Sequence, residues 1–349
     1  SKGALNKDLS VPSITIDKVR FQIDPRFEVF HIISYLADAP FINGLDLMYK
    51  NEIDSYFSDF RDHPYLSDFE RLYKKSFNSV DGPIKYILHC DYDFKPTIEF
   101  NNPARDSLAQ VIRMFMNNSD FKRFFKNQTN FYNTILNTVK YNFQNFREKT
   151  RIEEYYKSSQ NSYSIILNIL HGQGNYGIRI KNENNYNSYV VIAPQDTYGN
   201  LPEFSNSPYN YNLIWHEFSH TFVNPLVDEH SNEVQKHNHL YDPIKTSMSS
   251  QGYHHWNVTV KEHIVRAVSA RLAADKYGED AAYLNHLRQE LGRRFIYTQK
   301  IYNALVKYEQ SSETFEEYFP KILDALNNIN ESEIDSLQAK VEEIREPDV

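Results

Sequence analysis

The sequence predicts an α+β protein that is mostly helical, in which a small mixed β-sheet precedes a helix that carries two histidines. Apolar residues recur at helical spacing over most of the chain, and three short apolar segments rich in β-branched residues lie between residues 163 and 195. Aromatic side chains are abundant, with 26 Tyr and 23 Phe against 10 Gly. That balance is typical of an ordered protein with a large core.

The first 126 residues are expected to form one strand followed by a helical region. Apolar and polar residues alternate from Ser13 to Phe21, which predicts a strand. Asp24 then offers an N-cap and Pro25 a first helical position, so a helix should begin there. Further helices are predicted over residues 47–63, 64–76, 104–117 and 119–126.

Residues 127–280 are expected to form the functional core. Ser207 as N-cap and Pro208 at the first helical position predict the start of a helix, and Asn224-Pro225 predicts its end. Ahead of this helix we expect a small, partly antiparallel sheet, because short connections separate the strand segments. The elements predicted there are a helix over 131–149 and strands over 163–172, 176–182 and 188–195.

The polar, histidine-rich stretch 226–256 should be a connection with a short helix at 242–249. The amphipathic run that follows predicts a long helix closed by Gly278. Residues 281–349 are expected to be helical to Asn330 and to end in a charged tail. Since no repeat or low-complexity linker separates the three regions, we expect them to pack as one compact unit.

Composition limits the partners. The net charge is −8, and charges of both signs are interleaved without a basic block, so nothing favours nucleic acid as a partner. No apolar run reaches the roughly 18–20 residues that span a bilayer, so no membrane-spanning segment is expected. A peptide or protein substrate is the expected partner, and the oligomeric state is open.

Cys90 is the only cysteine, which excludes an intramolecular disulfide and a multi-cysteine zinc site. Any metal must therefore be held by His, Asp and Glu. The chain begins without an initiator Met, so we expect an export signal to have been removed and the protein to lie in a bacterial cell envelope or to be secreted. The cytoplasm remains an alternative, because one cysteine suits it equally.

The stretch "LIWHEFSHTFVNP" contains the pattern H-E-x-x-H at His216, Glu217 and His220. Residues four apart on a helix are about 40° apart around its axis, so both histidines can bind one ion. Zinc suits such imidazole nitrogens, and catalytic zinc sites use three protein ligands and a water. Glu217 can reach that water without being a ligand, and so act as general base.

Glu262 is the favoured third ligand because it lies on the next strong helix, where a carboxylate can be presented rigidly. Its neighbour His263 faces about 100° away, so only one of the two should bind the metal. Alternatives left open are His254, His255, His263 and the polar side chains of the connection, namely Asp228, Glu229, His230, Glu233, His237 and His239.

A sheet, an H-E-x-x-H helix and a downstream glutamate resemble the thermolysin-like zinc metallopeptidases, or gluzincins. The segments "DPRFEVFHIISYLAD", "FRDHPYL", "WHEFSHTFVNP" and "KEHIVRA" more narrowly resemble an uncharacterised bacterial family predicted to be metallopeptidases. The resemblance implies a zincin-like core over 127–280, flanked by helical regions. It also implies one Zn²⁺ held by His216, His220 and Glu262, with Glu217 as general base and acid.

The sequence departs from the gluzincin pattern at Arg266, where many such enzymes carry an acid four residues after the glutamate ligand. Arg266 could pair with Glu262, or it could face the cleft and bind a substrate carboxylate or an oxyanion. Tyr253 and His255 precede this helix and are candidate donors to the oxyanion, although packing explains Tyr253 equally well.

The predicted function is hydrolysis of peptide bonds by a metal-activated water with Glu217 as general base. The first alternative is a catalytically inactive zinc-binding protein that binds peptides or glycans, which Arg266 motivates. The second is a helical interaction protein in which the H-E-x-x-H pattern is accidental.

Overall fold

The structure is a computed structural model that describes residues 10–79, 82–159, 162–172, 176–182 and 185–345. Most of these residues are helical, which confirms the α+β class with a helical majority. The helices are α1 (Pro25–Leu36), α2 (Met48–Tyr56), α3 (Pro64–Ser76), α4 (Gly82–Leu88), α5 (Pro103–Asn118), α6 (Phe121–Asn127), α7 (Thr129–Asn142), α8 (Glu148–Tyr156), α9 (Pro208–Glu229), α10 (Ser231–Gln235), α11 (Lys245–Ser250), α12 (Trp256–Tyr277), α13 (Glu279–Ala282), α14 (Arg288–Gly292), α15 (Thr298–Glu309), α16 (Phe315–Leu323) and α17 (Glu331–Arg345).

The strands form one five-stranded sheet and one two-stranded sheet within the described chain. The larger sheet has the order β1-β2-β3-β5-β4, with β1 antiparallel to β2 and β2 parallel to β3, so it is mixed, as predicted. The strands are β1 (Ser13–Ile16), β2 (Val19–Gln22), β3 (Ser162–Leu167), β4 (Tyr176–Asn182), β5 (Asn185–Ile192), β6 (Asp196–Tyr198) and β7 (Leu201–Glu203). The last two pair with each other and were not predicted.

The chain divides into two compact units with interleaved ranges. The first contains residues 1–147, 163–178 and 189–210, and the second contains residues 148–162, 179–188 and 211–349. These boundaries differ from the three consecutive regions expected from the sequence. The candidate ligands His216, His220 and Glu262 all belong to the second unit.

Helix α1 lies at the centre of the first unit, and eleven of its twelve residues are buried. Asp24 caps it by accepting a hydrogen bond from the Arg26 backbone N–H, as predicted. Burial also extends to its polar residues, which therefore need partners. The Arg26 guanidinium pairs with Asp24 at 2.7 Å, and the Glu28 carboxylate accepts a hydrogen bond from the Tyr49 hydroxyl at 2.7 Å.

The predicted first strand, Ser13–Phe21, is in fact two strands joined by a tight turn at Asp17 and Lys18. Both turn residues have positive φ, at 50° and 58°, which is typical of a two-residue hairpin turn. Alternation of apolar and polar residues continues through the turn, so the pattern did not reveal it. The second strand, β2, then pairs in parallel with β3, about 140 residues later in the chain.

The predicted end of α9 at Asn224-Pro225 was wrong, because the helix continues to Glu229 with Pro225 inside it. A proline removes one backbone donor but fits when the surrounding contacts are strong enough to offset that loss. Here Val223, Leu226 and Val227 are buried on either side of the proline. Tertiary packing therefore outweighs the stop signal.

Two other helical predictions need correction. The single helix expected over 131–149 is two helices, α7 and α8, separated at Phe143, where the α7 C-cap lies. The charged tail expected after Asn330 contains helix α17. Asn330 accepts a hydrogen bond from the Glu333 backbone N–H, and Ile334 and Val341 are buried, so capping and burial together stabilise this helix.

Among the described residues, no helix is long and apolar enough to span a membrane. This agrees with the expectation from the sequence.

Glu28 gives the first unit a defined pH dependence. Burial raises the pKa of its carboxyl from 4.5 to about 8. Between these values the folded chain keeps a proton that the unfolded chain has released, so stability should fall as the pH rises. Glu28→Gln keeps a hydrogen-bonding group but cannot titrate. We expect it to remove a slope of up to about 1.4 kcal/mol per pH unit from the unfolding free energy over pH 5–8.

Denaturant unfolding of both forms at several pH values measures this difference. Burial lowers the pKa of His31 to about 3, so His31 contributes a slope of opposite sign over pH 3–6.5. It does so equally in both proteins, and the difference between them isolates Glu28. Equal slopes in the two proteins between pH 6.5 and 8 would contradict the assignment.

Candidate metal centre

Helix α9 presents His216 and His220 on one face. Their Nε2 atoms are 3.2 Å apart, and each side chain is about one-sixth exposed, at 15% and 18%. The preceding residue, Trp215, is fully buried. Because successive helical residues point about 100° apart, the burial of Trp215 directs His216 away from the core that holds the tryptophan.

Helix α12 brings Glu262 to the two histidines, as predicted. Its Oε1 is 3.2 Å from Nε2 of His220, and its Oε2 is 3.4 Å from Nε2 of His216. Only 7% of Glu262 is exposed. The three side chains are the one group among the described residues whose ligand atoms could hold a metal ion.

The donors lie close enough together to bind one small ion. The Nε2 atoms of His216 and His220 are 3.2 Å apart, Oε1 of Glu262 is 3.2 Å from Nε2 of His220, and Oε2 is 3.4 Å from Nε2 of His216. Imidazole nitrogens and carboxylate oxygens bind transition metals such as zinc at about 2.0–2.2 Å, whereas Ca²⁺ takes more ligands, all of them oxygens. Two imidazoles and one carboxylate are therefore a donor set whose chemistry suits a transition-metal ion.

The amide of Asn224 fixes the tautomer of His220. Nδ1 of His220 lies 3.0 Å from Oδ1 of Asn224, so Nδ1 carries the proton and donates it to the amide oxygen. Nε2 of His220 lies 3.2 Å from Nε2 of His216 and 3.2 Å from Oε1 of Glu262. Asn224 thus supplies the orienting hydrogen bond that metal-binding histidines normally make. From the sequence, Asn224 was expected to end the helix together with Pro225.

The charges of the group favour a cation at its centre. Burial lowers the pKa of His220, but the Glu262 carboxylate and its hydrogen bond outweigh burial and raise this pKa to about 9. Burial raises the pKa of Glu262, but the two histidines lower it well below its usual range. A positive charge among these atoms, whether a proton or a metal ion, therefore stabilises the group.

Glu217 lies beside the ligand group without belonging to it. Burial lowers the pKa of His220 and raises that of Tyr253, and Glu262 raises both. The negative charge of Glu217 also raises both pKa values, by a smaller amount. Glu217 is half-buried, and no hydrogen bond or ion pair within the described chain occupies its carboxylate. The carboxylate is therefore available to accept a proton.

Arg266 contacts Glu262 directly, which was one of its two predicted roles. Its Nη2 donates to Oε2 of Glu262 at 3.1 Å and to the Tyr253 hydroxyl at 3.3 Å. Its Nη1 donates to Oε2 of Glu290 at 2.8 Å. The structure thus brings Tyr253 and Arg266 to the ligand group. It also pairs Arg266 with Glu290, a residue that no pattern in the sequence indicated.

The other candidates lie elsewhere. His255 and His254 are exposed, and no contact among the described residues joins either of them to the ligand group. His263 is buried, with Nδ1 2.8 Å from the Thr259 carbonyl oxygen and its ring against Phe295. Of the acids in the connection, Asp228 forms an ion pair with Lys261.

A buried carboxylate on α8 joins the two helices that carry the ligands. Oε2 of Glu148 accepts a hydrogen bond from Nε1 of Trp215 on α9 at 2.5 Å, and Oε1 accepts one from Nζ of Lys276 on α12 at 3.3 Å. Arg151, one turn later, bonds Glu148 and donates to the Leu272 carbonyl oxygen of α12. The position of α9 relative to α12 therefore depends on this pair. The sequence contained no signal for it.

The fold and the site together define a mostly helical α+β protein with a group of two histidines and one carboxylate that could hold a metal ion. Residues 94–325 match a family described as a domain of unknown function, DUF4932. The match spans well over half of the chain and includes the whole ligand group, so the chain belongs to this family. Comparisons with curated proteins and with solved structures gave no significant match.

Glu148→Ala should reduce the unfolding free energy by about 3–5 kcal/mol, because it leaves the Trp215 indole N–H and the Arg151 guanidinium without their buried acceptor. Denaturant unfolding measures the change. Glu154→Ala on the same helix removes an exposed carboxylate and should cost less than about 0.5 kcal/mol. Similar losses for both variants would show that Glu148 does not join the helices.

Asn224→Ala should weaken zinc binding about 10–100-fold, because the His220 imidazole loses the acceptor that fixes its tautomer. Competition with a chromophoric chelator measures the affinity. Asn224→Asp keeps an acceptor oxygen and should bind zinc at least as tightly as Asn224→Ala does. If Asn224→Ala bound zinc as the parent protein does, the hydrogen bond would have no part in the metal site.

Proposed function

We propose that the protein is a zinc-dependent metallopeptidase. The observation that carries the proposal is the convergence of His216, His220 and Glu262 from two helices, with contacts of 3.2–3.4 Å between their ligand atoms. Glu217 lies one residue after the first histidine, and its carboxylate makes no hydrogen bond or ion pair with the residues that the structure describes.

The resemblance to gluzincins supports the same proposal. The resemblance implies an H-E-x-x-H helix, a later helix with a glutamate ligand and a preceding small sheet. The chain has a helix that carries His216 and His220, a later helix that carries Glu262, and a small mixed sheet. Membership of the DUF4932 family identifies no activity, so peptidase chemistry is proposed from the site.

His216, His220 and Glu262 would hold the zinc. When bound, the ion polarises a substrate carbonyl and lowers the pKa of water to about 7. Two imidazoles and a carboxylate are a ligand set of catalytic zinc sites that leave a position for substrate.

Glu217 is the proposed general base and acid. As the residue after His216, it would accept a proton from the attacking water and later return it to the leaving amine. Its carboxylate makes no hydrogen bond or ion pair with the described residues, which supports this role.

Tyr253 is the proposed donor to the oxyanion. Burial and the nearby Glu262 raise the pKa of its hydroxyl to about 12, so the proton is retained throughout the neutral range. Tyr253 accepts one hydrogen bond from Arg266, which leaves its own O–H to donate. That O–H can stabilise negative charge as it develops on the substrate oxygen.

A second candidate is a zinc-binding protein without peptidase activity, which would bind a peptide or glycan at the same site. Arg266 is the observation that favours it, because this position carries an acid in many gluzincins. The contact of Asn224 with His220 supports both candidates, because it would orient a histidine ligand in either case. The two candidates differ in whether Glu217 acts chemically.

Glu217→Gln separates the candidates. We expect this variant to bind one zinc per chain, as the parent does, and to hydrolyse a quenched-fluorescence peptide library at least about 100-fold more slowly, because the base is lost. Metal analysis and the library assay are the measurements. Glu229→Gln, an exposed carboxylate on the same helix, is the matched control and should leave both properties unchanged.

His216→Ala and chelation should each abolish metal content and hydrolysis together. If the parent protein binds zinc and cleaves no peptide in the library, the inactive binding protein is favoured. If it binds no zinc at micromolar concentration, both candidates fail.

A further inference from the structure

Arg266 is engaged mainly by other side chains of the protein. Its side chain is only 11% exposed, and its guanidinium carbon lies 3.9 Å from the centre of the Phe295 ring. Its terminal nitrogens bond Glu262, Glu290 and Tyr253. Both terminal nitrogens are therefore occupied by protein partners.

The two carboxylates bonded to Arg266 occupy different positions. Glu262 contacts both histidines, whereas Glu290, on α14, contacts neither within the described chain. Besides Arg266, the only cation near Glu290 among the described residues is Arg293, 3.5 Å away and 59% exposed. The Glu290 carboxylate is itself buried, with 9% of its side chain exposed. Its main electrostatic partner is therefore Arg266.

This arrangement divides the charge of one guanidinium between two carboxylates. The bond to Glu290, at 2.8 Å, is shorter than the bond to Glu262, at 3.1 Å. If Arg266 paired with Glu262 alone, its full charge would compete with a metal ion for the same carboxylate oxygens. Glu290 reduces that competition while Arg266 still fixes the orientation of the Glu262 side chain.

We infer that Arg266 and Glu290 are positioning residues that set the metal affinity of Glu262. Arg266 orients the carboxylate by its contact with Oε2, and Glu290 offsets the positive charge that would otherwise weaken Glu262 as a ligand. The inference rests on the proposed metal site, but not on peptidase activity.

Glu290→Gln tests the charge of Glu290 with little change in shape. We expect it to weaken zinc binding at least tenfold in competition with a chromophoric chelator, because Arg266 is left to pair with Glu262. The double variant Arg266→Met/Glu290→Gln removes the uncompensated cation as well. It should bind zinc at least about threefold more tightly than Glu290→Gln, although the lost contact with Oε2 of Glu262 keeps it weaker than the parent. A purely structural role of Glu290 would not produce this recovery.

The matched control is a second Arg–Glu pair whose arginine, like Arg266, lies on α12. Arg271 of α12 pairs with Glu309 of α15 at 2.6 Å, and Arg271 is 10% exposed, but neither residue contacts the ligand group within the described chain. Glu309→Gln removes the same kind of Arg–Glu pair from α12. It should lower the thermal stability of the metal-free protein while leaving zinc affinity unchanged within twofold.

The outcomes are distinct. Zinc affinity of Glu290→Gln within twofold of the parent would overturn the inference, as would a double variant that binds no better than Glu290→Gln. If Glu290→Gln does not fold, Glu290→Asp is the second variant. It keeps the negative charge but moves the carboxylate farther from Arg266, and we expect zinc affinity to fall about three- to tenfold. An unchanged affinity in that variant overturns the inference. A parent protein that binds no zinc overturns the proposed metal site itself.

Discussion

The candidate metal centre depends on a buried carboxylate that belongs to neither of the helices it joins. Glu148 of α8 accepts hydrogen bonds from Trp215 of α9 and Lys276 of α12, and it is itself fully buried. An unpaired carboxylate in such a place would be strongly unfavourable, so the partners must stay close to it. Because Trp215 immediately precedes His216, holding the indole also fixes the direction of the first candidate ligand.

The candidate ligand group has its own electrostatic requirement. The Nε2 atoms of two imidazoles and a carboxylate lie 3.2–3.4 Å from one another, an arrangement that favours a positive charge among them. The surrounding protein supports this arrangement through neighbouring groups. Asn224 is hydrogen-bonded to Nδ1 of His220, and Arg266 holds one oxygen of Glu262.

The first unit pairs its buried polar groups in the same way. Helix α1 is almost wholly buried, so its polar residues are paired internally. Glu28 bonds the Tyr49 hydroxyl, which in turn lies 2.8 Å from the Tyr132 hydroxyl. His31 lies against the Phe27 carbonyl oxygen and near the amide of Asn168. Burial is the largest cause of the shifted pKa values of Glu28 and His31, and the nearby Asp24 and His171 shift them further in the same direction.

The sequence by itself determined the features that depend on neighbours along one element. The helical majority, the cap at Asp24, the facing pair His216 and His220, and Glu262 on the next strong helix all follow from spacing and local capping chemistry. Tertiary structure decided what depends on contacts distant in the chain. The parallel pairing of β2 with β3, the continuation of α9 past Pro225, and the contacts of Glu148 and Glu290 belong to this second group. Their physical reason is that burial and long-range hydrogen bonds outweigh local preferences, and no short window of sequence contains both partners.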